Sequence, residues 1–228
     1  MKTKPRTIYA WSADIAYAVG LIASDGCLQR DGRVVLTSKD RDLLETFSQI
    51  VGAEVKIRSR LGGFGVVTSD VWINRPGFYD FLLTAGLMPN KSKTLGPLDI
   101  PLEYWMDFTR GVFDGDGTIV ILKDKRSRFP MLQVKFFSGS LVFLEWLWEN
   151  LRALQVVEWG TIYTFKRPFR QLFSLSFAKA DSVQLLREMY KNEDCPHLPR
   201  KRAKYEEFLA LTTQVSGQKN CNDPSLQS

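Results

Sequence analysis

The chain has 228 residues, 44% of them apolar, which is enough to bury a sizeable core in one or two domains. Lys and Arg total 31 against 25 Asp and Glu, giving a net charge of +6 and a pI near 9.2, so an anionic partner is expected wherever that charge clusters. No apolar run approaches the ~20 residues of a membrane span, and the three cysteines share no metal-ligand spacing, which excludes an α-helical membrane anchor and a zinc module. Met1–Arg6 is basic but lacks the apolar core of a signal peptide, and odd cysteine usage fits a reducing compartment. An intracellular setting is expected, either a bacterial or archaeal cytoplasm or an organelle matrix.

In chain order, residues 1–9 read as a basic, frayed arm. Ser12 is the expected N-cap of a helix from Ala13 to about Ser24, with Asp14 favourably placed against the helix dipole. Ala13, Ala16, Gly20 and Ser24 put a stripe of small residues on one face, while Ile15, Val19 and Ile22 form a core face. Cys27–Arg30 and Arg33–Ser38 flank Asp31-Gly32, a hairpin signal. A helix follows over Asp40–Val51. Glu54–Leu61 alternates Lys56, Arg58 and Arg60 with Val55 and Ile57 at the period of a strand. Gly62–Gly65 turns it, Val66–Asn74 returns, Pro76–Ala85 is a short helix, and Lys91–Pro101 is a linker.

The same order repeats. Leu102–Gly115 is a helix, and Thr118–Leu122 and Met131–Ser138 are strands around the basic loop Lys123–Arg128. Leu141–Leu154 is a helix, Val156–Phe165 and Gln171–Phe177 form a hairpin around Lys166–Arg170, and Asp181–Tyr190 and Lys201–Leu211 are helical. Thr212–Ser228 is polar and without periodicity, which predicts disorder. His197, the only histidine, has no ligand-spaced partner beyond Cys195 and reads as structural.

The repeat is clearest in two nonapeptides. Ala18–Gly26 reads AVGLIASDG and Thr109–Gly117 reads TRGVFDGDG, pairing Gly20 with Gly111, Ser24 with Gly115, Asp25 with Asp116 and Gly26 with Gly117. The match continues without gaps from Val35–Glu45 onto Lys135–Glu145, and a weaker echo joins Leu87–Lys91 to Leu198–Lys201. Glycine inside a helix costs about 1 kcal/mol relative to alanine, so Gly111 and Gly115 on one face imply close approach of another backbone. Packed on their small faces, the two helices would bring Asp25 and Asp116 to one edge. Paired carboxylates there suit an oxygen-ligated divalent cation shared with phosphate oxygens.

The two motifs resemble those of the LAGLIDADG homing endonucleases in their single-chain, two-motif form, over roughly residues 9 to 210. Ala23 and Ser24 replace the first acid and the alanine of the family pattern, but the later acid that the family uses is kept as Asp25. The resemblance implies an α+β fold of two pseudo-twofold related αββαββα units, each a four-stranded antiparallel sheet saddle. Their bounds would be 1–98 and 99–211, with a tail over 212–228. It further implies a monomer that binds a long asymmetric double-stranded DNA site, with no membrane or obligatory protein partner. Cleavage of both strands with Mg²⁺ would leave four-nucleotide 3′ overhangs, with Mn²⁺ substituting and Ca²⁺ binding without supporting cleavage. Asp25 and Asp116 would be the catalytic, metal-holding acids, with Ser24 and Gly115 beside the metal. Lys39 would assist one strand cut, its counterpart being Gly139, and Lys91 and Lys201 are further candidate active-site bases. The same fold also serves RNA maturases and regulators that have lost their acids, so a non-cleaving binder is the rival reading.

For DNA contact, one sheet face in each half is expected to carry alternating basic and polar residues, since β-ribbons fit the major groove. In the first half these are Gln29, Arg30, Arg33, Thr37, Lys56, Arg58 and Arg60. In the second they are Gln133 and Lys135, with Lys123, Lys125, Arg126, Arg128, Lys166, Arg167 and Arg170 at hairpin tips.

Overall fold

A computed structural model of the chain describes residues 7–52, 56–61, 67–123, 127, 129–167 and 170–220, with the backbone alone at 167, 170 and 215–220. The first unit runs α1 (Ala13–Ser24), β1 (Gly26–Leu28), β2 (Val34–Ser38), α2 (Arg41–Ile50), β3 (Arg58–Leu61), β4 (Val67–Ile73) and α3 (Pro76–Thr84). The second runs α4 (Trp105–Asp116), β5 (Gly117–Leu122), β6 (Met131–Ser138), α5 (Leu141–Ala153), β7 (Thr161–Arg167), β8 (Arg170–Ala178), α6 (Lys179–Met189) and α7 (Pro199–Asn220). Each unit folds its strands into a four-stranded antiparallel sheet, ordered β1-β2-β4-β3 and β5-β6-β8-β7. The α+β duplicated architecture read from the sequence is the one observed.

Alternation along the strands sends one face of each sheet into the core. Val34, Leu36, Val71 and Ile73 join Leu44, Phe47, Phe78 and Leu82 on the helical side of the first sheet, and Leu132, Val134, Phe136, Leu175 and Phe177 join Leu144, Leu147 and Leu186 on that of the second. Burying such side chains contributes about 1.5–3 kcal/mol each. The helices α1 and α4 lie between the halves and make all of this one continuous core. Ser12 caps α1 as its sequence predicts, accepting from the Ile15 N–H at 3.2 Å.

Several boundaries differ from the sequence reading, each for a local reason. Residues Leu102–Tyr104 form a 3₁₀ turn closed by Tyr104 N–H on the Pro101 carbonyl, so the second motif helix starts at Trp105. β3 starts at Arg58, which leaves Lys56 outside the sheet. Val156 and Val157 do not begin a strand: their N–H groups bond back to the Leu151 carbonyl and both side chains are buried at the end of α5. The helix expected to stop near Leu211 runs on to Asn220, no proline standing in its way until Pro224; 221–228 lie outside the described residues. The N-terminal arm is also held from Thr7 onward. Tyr9 packs on Phe78 and donates to the Val51 carbonyl at 2.7 Å, and Trp11 meets Phe81 edge-on.

Candidate catalytic edge and nucleic-acid interface

The helices α1 and α4 cross on their glycines with backbone against backbone. A Cβ added to Gly20 would fall on the Phe108 carbonyl oxygen and 2.9 Å from Gly111 Cα; one added to Gly111 would fall on the Tyr17 carbonyl and 3.0 Å from Gly20 Cα. Below them a Cβ on Gly115 would strike Ser24 Oγ, whose hydroxyl folds back to donate to the Gly20 carbonyl at 3.0 Å or the Leu21 carbonyl at 3.1 Å. The small-residue stripe is therefore what permits this approach.

That crossing sets the acids. Asp25 is the C-cap of α1 and Asp116 the last residue of α4, so two equivalent helix ends deliver carboxylates to one edge. Crowding pushes the Asp25 carboxyl up to about 6, first through burial and then through repulsion from Asp116, against the pull of Lys201 and Lys91. The Asp25 residue is exposed by surface area, so its carboxyl sits at a rim that is crowded yet open to water. Asp116 is likewise raised by burial and opposed by the same two lysines. Helix C-termini carry partial negative charge, which adds to the anionic character of this edge.

Lys91 and Lys201 are not free bases. Both are buried, and their ammonium groups cap the two motif helices in equivalent ways: Lys91 Nζ donates to the carbonyls of Ala23 at 2.7 Å and Ser24 at 3.2 Å. Lys201 Nζ donates to the carbonyls of Phe113, Asp114 at 2.9 Å and Gly115 at 3.5 Å. A helix end leaves four carbonyls without intrahelical donors, and these lysines supply them. Burial lowers both to about 8 against the attraction of nearby acids. The weak sequence echo thus marks two lysines that cap the motif helices beside Asp25 and Asp116.

The halves also clasp one another beside the acids. The 3₁₀ turn Lys91–Lys93 lies against the β6–α5 turn, where Ser140 Oγ donates to the Leu95 carbonyl at 2.6 Å. A Cβ on Gly139 would collide with the Ser92 carbonyl oxygen, which is why the counterpart of Lys39 carries no side chain. On the other side Arg200 pairs in bidentate fashion with Asp40, with Nε and Nη2 each 2.9 Å from a carboxylate oxygen. Lys39, next to Asp40, is exposed. A cleft of about 330 Å³ opens beside Asp116, walled by Ser24, Lys91, Lys93, Gly139, Phe137 and Leu172.

A buried polar network supports the second motif only. Asp114 accepts from Tyr17 Oη at 2.9 Å and from the Leu198 N–H at 2.7 Å, while Arg110 reaches the Met189 and Pro196 carbonyls and Asp107. The equivalent position in the first motif is Ala23, so the signal for this asymmetry was visible in the sequence while its partners, on α1 and the 196–198 segment, were not. His197 bonds to the Cys195 carbonyl and meets Tyr190 edge-on, a structural role as expected.

The open faces of the sheets differ. On the first, strand register places Thr37, Arg58, Arg60, Asp70 and Trp72 together, in line with Arg33, which sits 4.8 Å from the Trp72 ring and pairs with Asp31. Gln29 and Arg30 lie in the β1–β2 turn and Lys56 before β3. On the second, register places Gln133 and Lys135 on the open face, but their neighbours are largely apolar and hydroxyl side chains, so the expected basic alternation fails there. The reason is that the positive charge of this half lies outside the strand centres. Lys123 is exposed at the end of β5, and Lys166 falls on the opposite face from Lys135 by register. Arg167 and Arg170 pair at the β7–β8 tip, their side chains not being described, and Lys125, Arg126 and Arg128 lie outside the described residues.

The two carboxylates offer oxygen ligands, which fits a hard cation such as Mg²⁺ in company with phosphate oxygens, while the Ser24 and Gly115 carbonyls beside them accept from Lys91 and Lys201. Among the described residues no group of three or more His, Cys, Asp and Glu side chains could hold a metal alone. None of their helices is long and apolar enough to cross a membrane.

No protein-family model matches the sequence, and no curated protein does either. Solved structures match in shape. I-DmoI in complex with DNA and calcium aligns with a TM-score of 0.54 at 16% identity, over 85% of this chain and 97% of that one. I-WcaI bound to its DNA recognition sequence gives 0.53 at 11% identity, over 90% and 95%. Full-length DUF199/WhiA from Thermatoga maritima gives 0.56 at 11% identity, over 91% of this chain and 63% of that one. The chain has the fold of the LAGLIDADG homing endonucleases.

Proposed function

We propose that the chain is a site-specific, divalent-metal-dependent DNA endonuclease, acting as a monomer on a long asymmetric duplex and cutting both strands to leave 3′ overhangs. The observation that carries this reading is the delivery of Asp25 and Asp116 to one edge by equivalent helix ends, between two sheets with open faces. The I-DmoI neighbours solved with DNA were obtained with calcium, magnesium or manganese, in keeping with Mg²⁺ as the cofactor here and Mn²⁺ as its substitute. When bound, the cation supplies activation of water and stabilisation of the leaving 3′ oxygen.

In this reading the chain's own groups position and screen. Asp25 and Asp116 hold the cation, with the Ser24 and Gly115 carbonyls beside it. Lys91 and Lys201 fix those helix ends and keep the anionic edge from repelling phosphate. Lys39 serves the strand on its own side, where no clasping turn displaces it. Basic residues of the first sheet and of both sets of hairpin tips contact phosphates and base edges.

A non-cleaving nucleic-acid binder with this fold is the alternative. Duplexes enriched from a randomised library in EDTA, then given Mg²⁺, separate the two. Both strands should be cut at one position with 3′ overhangs, whereas duplexes that stay intact in Mg²⁺ and Mn²⁺ would establish the binder.

A further inference from the structure

The two open faces are chemically unlike, and the following rests on the reading that both face duplex DNA. On the first sheet Arg58 and Arg60 project from β3 on the open side, opposite Asp70 and Thr68. On the second sheet the open positions are Val120, Leu122, Phe137, Tyr163, Phe165 and Leu172. Thr118, Lys135 and Thr161 form a polar row between the Val120–Leu122 end and the Phe137–Phe165 end, and Lys135 is the only charged side chain described on that face of the four strands. Three of these groups are exposed, Leu122 at 40%, Phe165 at 45% and Tyr163 at 50%, and Val120, Phe137 and Leu172 are half-buried. By register Phe137, Leu172, Tyr163 and Phe165 are neighbours at one end of this face, a cluster that a folded chain rarely leaves to water without a partner. The patch is continuous with the candidate catalytic edge, because Phe137 and Leu172 also wall the cleft beside Asp116.

In the major groove the one apolar group on a base edge is the thymine 5-methyl, which apolar and threonine side chains contact, while guanine O6 and N7 take arginine. We propose that the half-site under the second sheet is A·T-rich and read through thymine methyls, and that the half-site under the first presents guanine to Arg58 and Arg60. Hydroxyls of Thr118 and Thr161 add contacts that either base of an A·T pair accepts. The aromatic rings serve here as methyl-contacting walls rather than as stacking platforms, because the first sheet offers Arg58 and Arg60 to the same duplex.

The test uses the full chain in EDTA. Duplexes are selected from a randomised library, and each half is assigned by the variant that relaxes it: Arg58→Ala with Arg60→Ala for the first, Tyr163→Ala with Phe165→Ala for the second. Deoxyuridine then replaces thymidine in one half at a time, which removes the methyl and nothing else. We expect A·T pairs in the second half and about fourfold weaker binding per methyl lost there, the order of magnitude of burying one methyl. The same replacement in the first half should leave affinity unchanged, and the Tyr163→Ala, Phe165→Ala variant should lose the uridine effect. A G·C consensus in the second half, indifference to uridine there, or tighter binding of the single strand than of its duplex would overturn the inference while leaving duplex recognition standing. Failure to enrich any duplex would overturn both this inference and the function it rests on.

Discussion

Asp25 shows what the catalytic edge costs the fold. Its carboxyl is raised to about 6 in the folded chain by burial and by Asp116, above the roughly 4 of a free carboxyl. The folded state therefore binds this proton more tightly than the unfolded state, a gain complete below about pH 4 and lost as pH rises through about 6. At pH 7 the ionised group is a net burden. Asp25→Asn should accordingly melt above wild type at pH 7 in EDTA, by about 1 kcal/mol after solvent screening of this exposed residue, or roughly 2–4 °C. The gap should close near pH 4, and thermal melts across that range check it; a lower melting temperature at pH 7 would mean the carboxyl is held by favourable contacts instead. Lys39 tests the asymmetry of the edge. Because Gly139 cannot carry a side chain against Ser92, Lys39→Met should slow one strand cut by about 10²–10³ and the other much less, so that a supercoiled target accumulates as a nicked circle. Equal slowing of both strands, read by end-labelling each, would assign Lys39 to binding or to a shared step.

At the scale of elements, the crossing of α1 and α4 was the most legible feature of the sequence. Small residues at helical spacing, written twice, admit few other uses. The prediction is direct, because the atoms met by a Cβ at Gly111 are backbone atoms that cannot turn aside. Gly111→Ala should destabilise by about 1–3 kcal/mol through overpacking, more than the ~1 kcal/mol of helix propensity it gains. Gly96→Ala, with open space around it, should melt like wild type. A Gly111→Ala chain as stable as wild type would show that the helices part readily. Strand ends were less legible for the opposite reason. Val156 and Val157 read as strand because β-branched residues favour sheets, yet the end of α5 bound their N–H groups first. Lys91 and Lys201 were found by a weak echo, but whether an amine points at solvent or at a helix end depends on a fold that brings distant segments together, and no local pattern encodes that.

At the scale of the whole molecule, duplication made the fold readable: two units with one order of elements, two sheets and one shared core. The nature of each open face was not, since the alternation of Gln133, Lys135 and Phe137 looks like that of Arg33, Val35 and Thr37 until register reveals what β5, β7 and β8 set beside them. With the charge concentrated on one sheet and at the hairpin tips, binding should still be strongly salt-dependent. Neutralising roughly 6–10 phosphates gives a log–log slope on the order of −5 to −9, which filter binding between low and moderate salt would read, and a slope near zero would place the contact elsewhere. The central claim is that Asp25 and Asp116 perform chemistry on a duplex that other residues recognise. It is tested most directly by measuring binding and Mg²⁺-dependent cleavage of one selected duplex by wild type and Asp116→Asn side by side. The account predicts that Asp116→Asn binds within about 1–2 kcal/mol of wild type, since losing a negative charge beside phosphates does not weaken the complex, and makes no double-strand break. Cleavage of both strands by Asp116→Asn at the wild-type rate would contradict it.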